Sequence, residues 1–483
     1  MCGIIGIIDR RDISYDIYLG LLSLQHRGQD SCGIVTSDSK DYYSKKGLGL
    51  VNDVFDEDKL HELKGTVGIG HVRYPTVGAN LKMDIAPFYE ELPYFLAVAH
   101  NSNLVNYYSL RDELKEAGFK IKSGNDAEII LKLMLRELAK MKPKKLTPSA
   151  LFKVVEKLME TLNGAYAVVV LTKDGILGFR DPHGIRPMCM GENENGYAFA
   201  SESGALDAMG YKEIRDVNPG EAIFVSRDMN VETRRIKKAG HRHCMFEWVY
   251  FARPDSIIDK VSVYDARANL GRELAKKWKT KVDVVVPVPD TARTAALYFA
   301  EKIGVKYREG FLKNRYVGRT FIMPSQEKRE KVVKVKLNPI TKRMEKQRVA
   351  VIDDSIVRGT TCKKIINMIK RAYASEVHFV STCPPIKHPC YYGIDFPTEE
   401  ELVASQKSVE QIRSEISADT LTYQDLQGLL SALRIDGVCT ACLTGQYPTK
   451  VSPEAKNRLQ ESRRKERQKV KQTSLKSLTY IKR

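Results

Sequence analysis

A cysteine directly follows the initiator methionine, in the sequence Met-Cys-Gly-Ile-Ile-Gly-Ile. Methionine is usually removed before a small residue, so Cys2 is expected to become residue one, with a thiol and a free α-amine. An α-amine has a pKa of about 7.7–8.0, so it can act as a base near neutral pH. A nucleophile and a base in one residue suit covalent acyl transfer. The alternative is that Cys2 is a packing residue, and these few residues alone leave both open.

A second reactive pattern is the sequence RVAVIDDSIVRGTTCKKI, residues 348–365, in which an apolar strand ends in Asp353 and Asp354. Ligands of open α/β sheets bind at the carboxyl ends of strands, and a loop entering a helix N-terminus presents N–H groups to a phosphate. Two adjacent carboxylates repel each other unless sugar hydroxyls or Mg²⁺ neutralise them. The pattern favours a phosphate loop over an ordinary acidic turn. Gly359 permits close backbone approach, and the hydroxyl donors are Ser355, Thr360 and Thr361.

Cys439 and Cys442 form a C-x-x-C pair, which could be a redox pair or half a zinc site. The chain has nine cysteines, and an odd number in a large chain argues against a disulfide scaffold. Catalysis or metal binding is the better interpretation for clustered cysteines in a reducing compartment.

These residues must be positioned by two kinds of domain. The first part has many short β-like runs and two stretches of helical periodicity, Glu128–Met141 and Ser149–Leu162. This pattern predicts an α+β layered domain that ends near residue 235, with the apolar run after Cys2 as an ordered strand. The second part alternates strands and helices, which predicts a parallel sheet covered by helices.

The composition narrows the class of protein. A chain of 483 residues is expected to form two or three domains. It has no secretory signal and no apolar segment near the roughly 20 residues that cross a bilayer, so we expect a cytoplasmic protein without membrane association.

The net charge is +18, and residues 453–483 contain eleven Lys or Arg and three Glu. We expect this tail to be a solvated helix or a disordered extension. Nucleic-acid binding is the alternative, but charge alone supports it.

The motifs, taken together and in order, resemble the family of glutamine phosphoribosylpyrophosphate amidotransferases. The matching stretches are MCGIIGI, LQHRGQDSCGI, GHVRYPT, RDPHGIRP, ASESGALD, FEWVYFARPDS, VPVPD, KNRYVGRTFI, the loop at 348–365 and CTACLTGQYP. The resemblance implies an N-terminal-nucleophile glutaminase sandwich (αββα) over residues 1–235. It also implies a type I phosphoribosyltransferase domain with a parallel sheet over 236–450. The basic tail, 451–483, lies outside it.

The resemblance assigns roles in a glutaminase site. Cys2 would attack the side-chain amide of glutamine and release ammonia. Arg73 would hold the substrate's α-carboxylate, and Asp126 its α-amine. Asn101 and the following residue would form the oxyanion hole, but Ser102 stands where the family has glycine, and strain is expected if that backbone needs glycine. Arg27 is expected near the thiol.

In the second domain the resemblance implies that ammonia attacks C1 of phosphoribosyl pyrophosphate with loss of pyrophosphate, the first step of de novo purine synthesis. Asp353 and Asp354 would face the ribose hydroxyls and Mg²⁺, with Thr291 as a further Mg²⁺ ligand. Arg315–Arg329 would form a lid over the substrate. The 5-phosphate would be bound by Ser355, Arg358, Gly359, Thr360 and Thr361.

One subgroup of the family binds a [4Fe–4S] cluster, and its four ligands match Cys244, Cys390, Cys439 and Cys442. Zinc is the alternative, supported by His241 and His243, which are otherwise expected to be surface residues. The remaining cysteines are expected to be packing residues: Cys32, Cys189, Cys362 and Cys383.

The resemblance also implies homodimers or homotetramers and feedback inhibition by purine nucleotides. Two other functions stay open at this point. A glutaminase coupled to hexosamine synthesis is disfavoured by the loop at Asp353 and Asp354. A non-catalytic paralogue that acts as a regulatory or binding subunit is suggested by Ser102.

Overall fold

The computed structural model describes residues 1–74, 82–314 and 337–465. The strands are, in chain order, β1 (Gly3–Asp9), β2 (Ser31–Ser37), β3 (Tyr42–Leu48), β4 (Val67–Arg73), β5 (Phe88–Glu90), β6 (Leu96–Leu104), β7 (Gly164–Thr172), β8 (Gly175–Arg180), β9 (Cys189–Glu192), β10 (Gly196–Ala200), β11 (Lys212–Asp216), β12 (Glu221–Ser226), β13 (Val231–Arg235), β14 (His243–Cys244), β15 (Ile257–Ile258), β16 (Val261–Ser262), β17 (Val284–Pro287), β18 (Lys306–Tyr307), β19 (Phe311–Lys313), β20 (Leu337–Pro339), β21 (Arg348–Asp353), β22 (Glu376–Ser381), β23 (Thr420–Tyr423) and β24 (Val438–Cys439). The α-helices are α1 (Ser14–Ser23), α2 (Val51–Val54), α3 (Glu57–His61), α4 (Tyr107–Glu116), α5 (Asp126–Met141), α6 (Pro148–Thr161), α7 (Ser203–Ala208), α8 (Val263–Lys277), α9 (Arg293–Ile303), α10 (Thr360–Arg371), α11 (Val403–Gln406), α12 (Val409–Ile416), α13 (Leu426–Leu433), α14 (Ala441–Thr444) and α15 (453–465).

The N-terminal part is a sandwich of two antiparallel sheets between helices. One sheet has the order β11-β9-β10-β1-β4-β2-β3 and the other β13-β12-β8-β7-β6-β5. Successive side chains of a strand point to opposite faces. In β1, Ile4 and Ile8 therefore pack between the two sheets, whereas Ile5 and Ile7 pack under α1 and α7. Helices α4, α5 and α6 cover the second sheet. The predicted αββα arrangement is confirmed.

Helix α5 begins two residues earlier than the periodicity predicts, because the side chain of Asn125 caps it by accepting a hydrogen bond from the N–H of Ala127. This start places Asp126 at the first turn of the helix, directly below the end of β6.

The second part contains a parallel sheet with the order β18-β17-β21-β22-β23. The buried faces of α8 and α9 pack on one side of the sheet and those of α10 and α12 on the other. This is the predicted α/β arrangement, and it brings the carboxyl ends of β17, β21 and β22 to one edge.

An apolar cluster joins the two parts. Met1, Val105 and Ile185 of the first part pack with residues of the second, including Trp248 and Tyr391. The domain limits at residues 235 and 450 stay predictions. No helix in the described part of the chain has the length and apolarity to cross a membrane.

The start of the tail is a helix, as one of the two alternatives predicted, but it is not solvated on all sides. Residues 453–465 form α15, in which Leu459 and Arg463 are almost fully buried. Arg463 donates to the carbonyl oxygens of Cys390, at 2.7 Å, and Phe396, at 3.5 Å, so its charged group has buried partners. Residues 466–483 lie outside the described part.

Candidate functional sites

Cys2 lies at the start of β1, which is paired on both sides by β4 and β10. Its backbone nitrogen donates to Oδ1 of Asn101 at 3.3 Å, and its carbonyl oxygen accepts a hydrogen bond from Nε of Arg27 at 3.1 Å. Its Sγ lies 3.8 Å from the carbonyl oxygen of Tyr74. The residue is buried, with 7% of its surface exposed. The chain end is therefore held rigidly, as a catalytic residue requires.

Asn101 and Ser102 lie in β6, next to Cys2. While Oδ1 of Asn101 accepts from Cys2, its buried Nδ2 has no hydrogen-bond partner among the described residues. An unpaired buried N–H next to a thiol is a candidate oxyanion donor. Ser102 lies within the strand opposite Tyr166 and is not among the residues with positive φ. The strain expected from replacing a glycine is therefore absent at this position.

Arg73 and Asp126 carry the opposite charges expected for recognition of an amino acid. Arg73 ends β4, and its Nη1 lies 3.7 Å from Oδ2 of Asp84. Gly28 packs so closely against Arg73 that an added Cβ would lie 2.6 Å from its backbone, so glycine is required there. Asp126 accepts hydrogen bonds from the N–H of Leu104 at 2.8 Å and the hydroxyl of Ser102 at 3.3 Å. Burial raises the pKa of Asp126 to about 6.

A buried ion network surrounds Cys2, and the sequence analysis anticipated only Arg27. The Arg27 guanidinium donates to the carboxylates of Glu202 and Glu247, and all three side chains are almost fully buried. Glu202 follows β10, whereas Glu247 belongs to the segment that begins the second part. The network therefore connects the thiol site to the second domain. Both carboxylates lie in motifs that carry the family resemblance, ASESGALD and FEWVYFARPDS, but nothing in those motifs indicates that they pair with Arg27.

The loop at 353–361 combines a helix start that can bind an anion with two buried carboxylates that can bind a cation. Asp353 ends β21, and the N–H of Asp354 donates to its Oδ1 at 2.9 Å, while the hydroxyl of Ser355 donates to Asp354 at 2.6 Å. Burial, together with the charge of Asp354, raises the pKa of Asp353 well above its usual range. Burial also raises the pKa of Asp354. Two buried carboxylates in this state fit a divalent cation, which would favour their ionised form.

Gly359 adopts φ +74° and precedes α10, whose first residues are Thr360 and Thr361. The N–H groups of this helix start point into the loop, as a phosphate requires. Arg358 forms an ion pair outside the loop, since its Nε lies 3.4 Å from a carboxylate oxygen of Glu401.

Thr291 follows β17, which lies beside β21, so it occupies the same edge of the sheet as Asp353. Within the described ranges, no hydrogen bond joins Thr291 to either aspartate. The predicted lid, Arg315–Arg329, lies outside the described residues.

The four cysteines matched to the cluster ligands come together in the apolar cluster between the two parts. Strands β14 and β24 pair in parallel with Cys244 opposite Cys439. The N–H groups of Lys387 and His388 donate to the carbonyl oxygen of Cys442, and the N–H of Tyr392 donates to Sγ of Cys390 at 3.3 Å. All four are free thiols. Burial raises the pKa of Cys244 to about 11 and that of Cys442 beyond its usual range.

These four sulfurs are a candidate metal site. In the part of the chain that is described, no three of them lie within 4.8 Å of one another. One tetrahedral Zn²⁺ with Zn–S bonds of about 2.3 Å needs sulfurs about 3.8 Å apart. Four cysteine sulfurs are the donor set that either Zn²⁺ or a [4Fe–4S] cluster takes.

His241 and His243 form a separate group with Asp259. His243 is buried and its Nδ1 lies 2.7 Å from Oδ2 of Asp259, so the expectation of a surface residue is wrong for it. Both carboxylate oxygens of Asp259 already accept hydrogen bonds from Arg180 at 2.7 Å. These three side chains offer ligand atoms within 4.8 Å of one another, but the charge of Asp259 is already paired with Arg180. The other four cysteines, Cys32, Cys189, Cys362 and Cys383, are buried in apolar clusters.

Comparisons with known proteins agree with this geometry. Residues 77–208 match the model of a glutamine amidotransferase domain. The chain is 45% identical over 481 residues to the amidophosphoribosyltransferase of Pseudomonas aeruginosa, covering 96% of each chain. It is 44% identical over 450 residues to that of Escherichia coli, covering 90% of this chain and 89% of the other.

Two solved structures are also similar. One is the glutamine phosphoribosylpyrophosphate amidotransferase from Bacillus subtilis, complexed with ADP and GMP. It has a TM-score of 0.86 and 41% identity, and the match covers 94% of this chain and 98% of that one. The other is described as the allosteric regulatory enzyme of purine biosynthesis, with a TM-score of 0.87, 40% identity and coverage of 94% and 97%.

Proposed function

Because the chain belongs to the amidophosphoribosyltransferase family, we propose that it hydrolyses glutamine at Cys2 and passes the ammonia to phosphoribosyl pyrophosphate at the loop 353–361. The enzyme is a glutamine-dependent phosphoribosyltransferase that catalyses the first step of purine biosynthesis. Its substrates are glutamine and phosphoribosyl pyrophosphate, and its products are 5-phosphoribosylamine, glutamate and pyrophosphate.

In the first step the thiolate of Cys2 attacks the side-chain carbonyl carbon of glutamine. Once Met1 is removed, the α-amine of Cys2 takes the thiol proton and delivers it to the departing nitrogen, so that ammonia leaves and a thioester remains. Water then hydrolyses the thioester to glutamate and restores the thiol. The contact between the backbone nitrogen of Cys2 and Asn101 would hold that amine in place.

The observation that carries this assignment is the unpaired Nδ2 of Asn101 beside the thiol. It is positioned to donate to the oxygen that becomes negative in the tetrahedral intermediate. Arg73 and Asp126 would orient the substrate through its α-carboxylate and α-amine, because a buried guanidinium and a buried carboxylate complement those charges.

At the second site, the helix start at Thr360 and Thr361 would hold the 5-phosphate, together with the loop residues Ser355, Arg358 and Gly359. Asp353 and Asp354, with Thr291, would hold Mg²⁺ and the ribose hydroxyls. The ion would neutralise negative charge on the pyrophosphate leaving group. The nitrogen of ammonia forms the new bond to C1 as the bond from C1 to pyrophosphate breaks.

We also propose a [4Fe–4S] cluster bound by Cys244, Cys390, Cys439 and Cys442, with zinc as the disfavoured alternative. The reaction transfers no electrons, so the cluster would be structural. Its place in the apolar cluster between the two parts supports a role in holding them together.

Further properties follow from the family. We propose feedback inhibition by purine nucleotides, since a similar enzyme was solved with ADP and GMP and another is described as allosteric. We propose a homo-oligomer, a dimer or tetramer, and a cytoplasmic location, which agrees with nine free thiols. A nucleic-acid partner gains no support from the described part of the tail, where part of α15 is buried.

The test is to measure pyrophosphate release from phosphoribosyl pyrophosphate with glutamine and with ammonium. The Cys2→Ala variant should lose the reaction with glutamine and retain the reaction with ammonium. Cys32→Ala, which changes a buried thiol of the neighbouring strand β2, should keep both. Equal loss of both reactions in Cys2→Ala would contradict two sites. Full glutamine-driven activity in a chain that retains Met1 would contradict the role of the free amine.

A further inference from the structure

Arg186 is a buried positive charge with incomplete partners. It lies between β8 and β9, and its side chain is fully buried. Its Nη1 lies 3.4 Å from Oε1 of Glu247 and also contacts Sδ of Met1. Its Nε and Nη2 have no hydrogen-bond partner among the described residues. Unsatisfied donors of a buried cation are strongly unfavourable, so the Nε–H and Nη2–H of this side chain imply further hydrogen-bond acceptors.

Glu247 does not satisfy the hydrogen-bond donors of Arg186. The Glu247 carboxylate already accepts hydrogen bonds from both terminal nitrogens of Arg27, at 2.9–3.2 Å. Arg27 also pairs with Glu202, so the four side chains hold two positive and two negative charges. His26 shares Glu202. The contact between Arg186 and Glu247 is the longest of these, and it engages only one of the three guanidinium nitrogens.

Arg186 lies near the segments that carry the proposed cluster ligands. Ile185, its neighbour in the chain, packs in the same apolar cluster as these cysteines. Glu247, whose carboxylate contacts Arg186, is three residues from Cys244 in the chain.

We propose that Arg186 is the charge partner of the group bound by the four cysteines, with its Nε–H and Nη2–H donating to the sulfurs of that group. This inference rests on the proposed cluster. Four thiolates bring more negative charge than an iron–sulfur core neutralises, and N–H donors to sulfur set its potential. Arg186 would then connect the cluster, through Glu247 and Arg27, to the carbonyl oxygen of Cys2.

The test compares Arg186→Gln with Arg180→Gln in the full-length, anaerobically purified enzyme. Arg180 is a matched control, because it is equally buried in the same RDPHGIRP segment but pairs with Asp259. Iron and sulfide are quantified first, and the midpoint potential of the cluster is then measured by spectroscopic redox titration. Loss of a nearby positive charge disfavours the reduced, more negative cluster.

Arg186→Gln should therefore lower the equilibrium constant for reduction of the cluster at least tenfold. For a one-electron couple, this corresponds to a midpoint potential lower by about 59 mV or more. Arg180→Gln should shift it by less than a third of that amount. Equal potentials in the wild type and Arg186→Gln, or equal shifts in both variants, would overturn the proposal. A wild-type protein without iron would refute the cluster itself, which is a distinguishable result.

If Arg186→Gln fails to assemble the cluster, Arg186→Lys provides the decisive measurement. Lysine keeps the charge but loses the planar pair of donors. The rate of iron release to a chelator should rise at least fivefold over wild type in this variant. An unchanged rate would overturn the proposal.

Discussion

The hydroxyl of Ser102 donates a hydrogen bond to the carboxylate of Asp126, with 3.3 Å between Oγ and Oδ2. Burial raises the pKa of Asp126, and this hydrogen bond, together with the one from the N–H of Leu104, opposes the rise. The residue that departs from the family pattern thus supports the ionised form of the carboxylate proposed to bind the α-amine of glutamine.

We therefore expect Ser102→Gly to weaken glutamine binding. Loss of one hydrogen bond of about 1 kcal/mol corresponds to a roughly fivefold rise in the KM for glutamine at pH 7. Ser102→Thr, which keeps a hydroxyl, should stay near wild type, and the ammonium-driven rate should not change in either variant. Steady-state kinetics check this. A lower KM in Ser102→Gly would show that serine impairs the site.

The pH dependence of glutamine binding should follow Asp126. Burial raises the pKa of this carboxyl to about 6, so the KM for glutamine should rise as the pH falls through 6. The KM for ammonium in the ammonium-driven reaction should show no such step. Because its pKa is higher in the folded chain than in the unfolded chain, Asp126 favours folding most below pH 4 and progressively less up to pH 6. Asp126→Asn should abolish the pH step and raise the KM at all pH values. A step that persists in this variant would assign it to another group.

Asn101→Ala should reduce glutamine-driven kcat by about 10²–10³, the effect of removing one oxyanion donor. The matched control is Asn103→Ala, two residues further along the same face of β6. The Nδ2 of Asn103 donates instead to the carbonyl oxygen of Tyr391, at 2.8 Å. That variant should lose thermal stability while its glutaminase kcat stays within a few-fold of wild type. Comparable losses of kcat in both variants would contradict the oxyanion assignment.

The sequence predicted those features that depend on local pattern. The apolar run of β1 and the apolar periodicity of α5 and α6 predicted the strands and helices that form the layers of the sandwich, because such elements must bury their apolar surface. The loop after β21 was predictable for the same reason, since strand, acidic pair, glycine and helix are contiguous. Cys439 and Cys442 form a local C-x-x-C pattern, but Cys244 and Cys390 were assigned by resemblance, because residues so far from that pair in the chain carry no local signal.

Contacts between distant segments could not be predicted. Glu202 and Glu247 are buried only because Arg27 lies between them, and nothing near either residue indicates that pairing. The tail has the composition of a solvated segment, yet Arg463 is buried where it meets two carbonyl groups of a distant loop. Ser102 was expected to cause strain because the family's glycine was assumed to adopt a backbone conformation that other residues adopt only with strain. The structure places it in an ordinary strand.

Asp353→Asn should stabilise the protein in the absence of ligands while abolishing synthesis. Burial and repulsion raise the pKa of Asp353, so its charged form opposes folding, and stability falls as the pH rises above the ordinary pKa. Relief of about 1 kcal/mol corresponds to a melting temperature about 2–4 °C higher at pH 7. Mg²⁺ and phosphoribosyl pyrophosphate should stabilise the wild type but not the variant. Asp283→Asn is the control, because Asp283 is exposed and pairs with Arg348 at the opposite end of the sheet. A fall in melting temperature for Asp353→Asn would contradict the repulsion.

The last prediction concerns α15. Arg463 is fully buried and its Nη2 donates to the carbonyl oxygen of Cys390 at 2.7 Å, so the helix braces the loop that carries this proposed cluster ligand. Arg463→Ala leaves that carbonyl without its buried donor, and we expect iron release to a chelator to accelerate about tenfold. The neighbouring Arg464→Ala, which removes an exposed pair with Glu400, should release iron at the wild-type rate.

A chain ending at residue 465 should match the full-length protein in iron content, whereas one ending at residue 452 should retain less than half of it. Equal iron content in both truncated chains would show that the helix does not support the cysteine site.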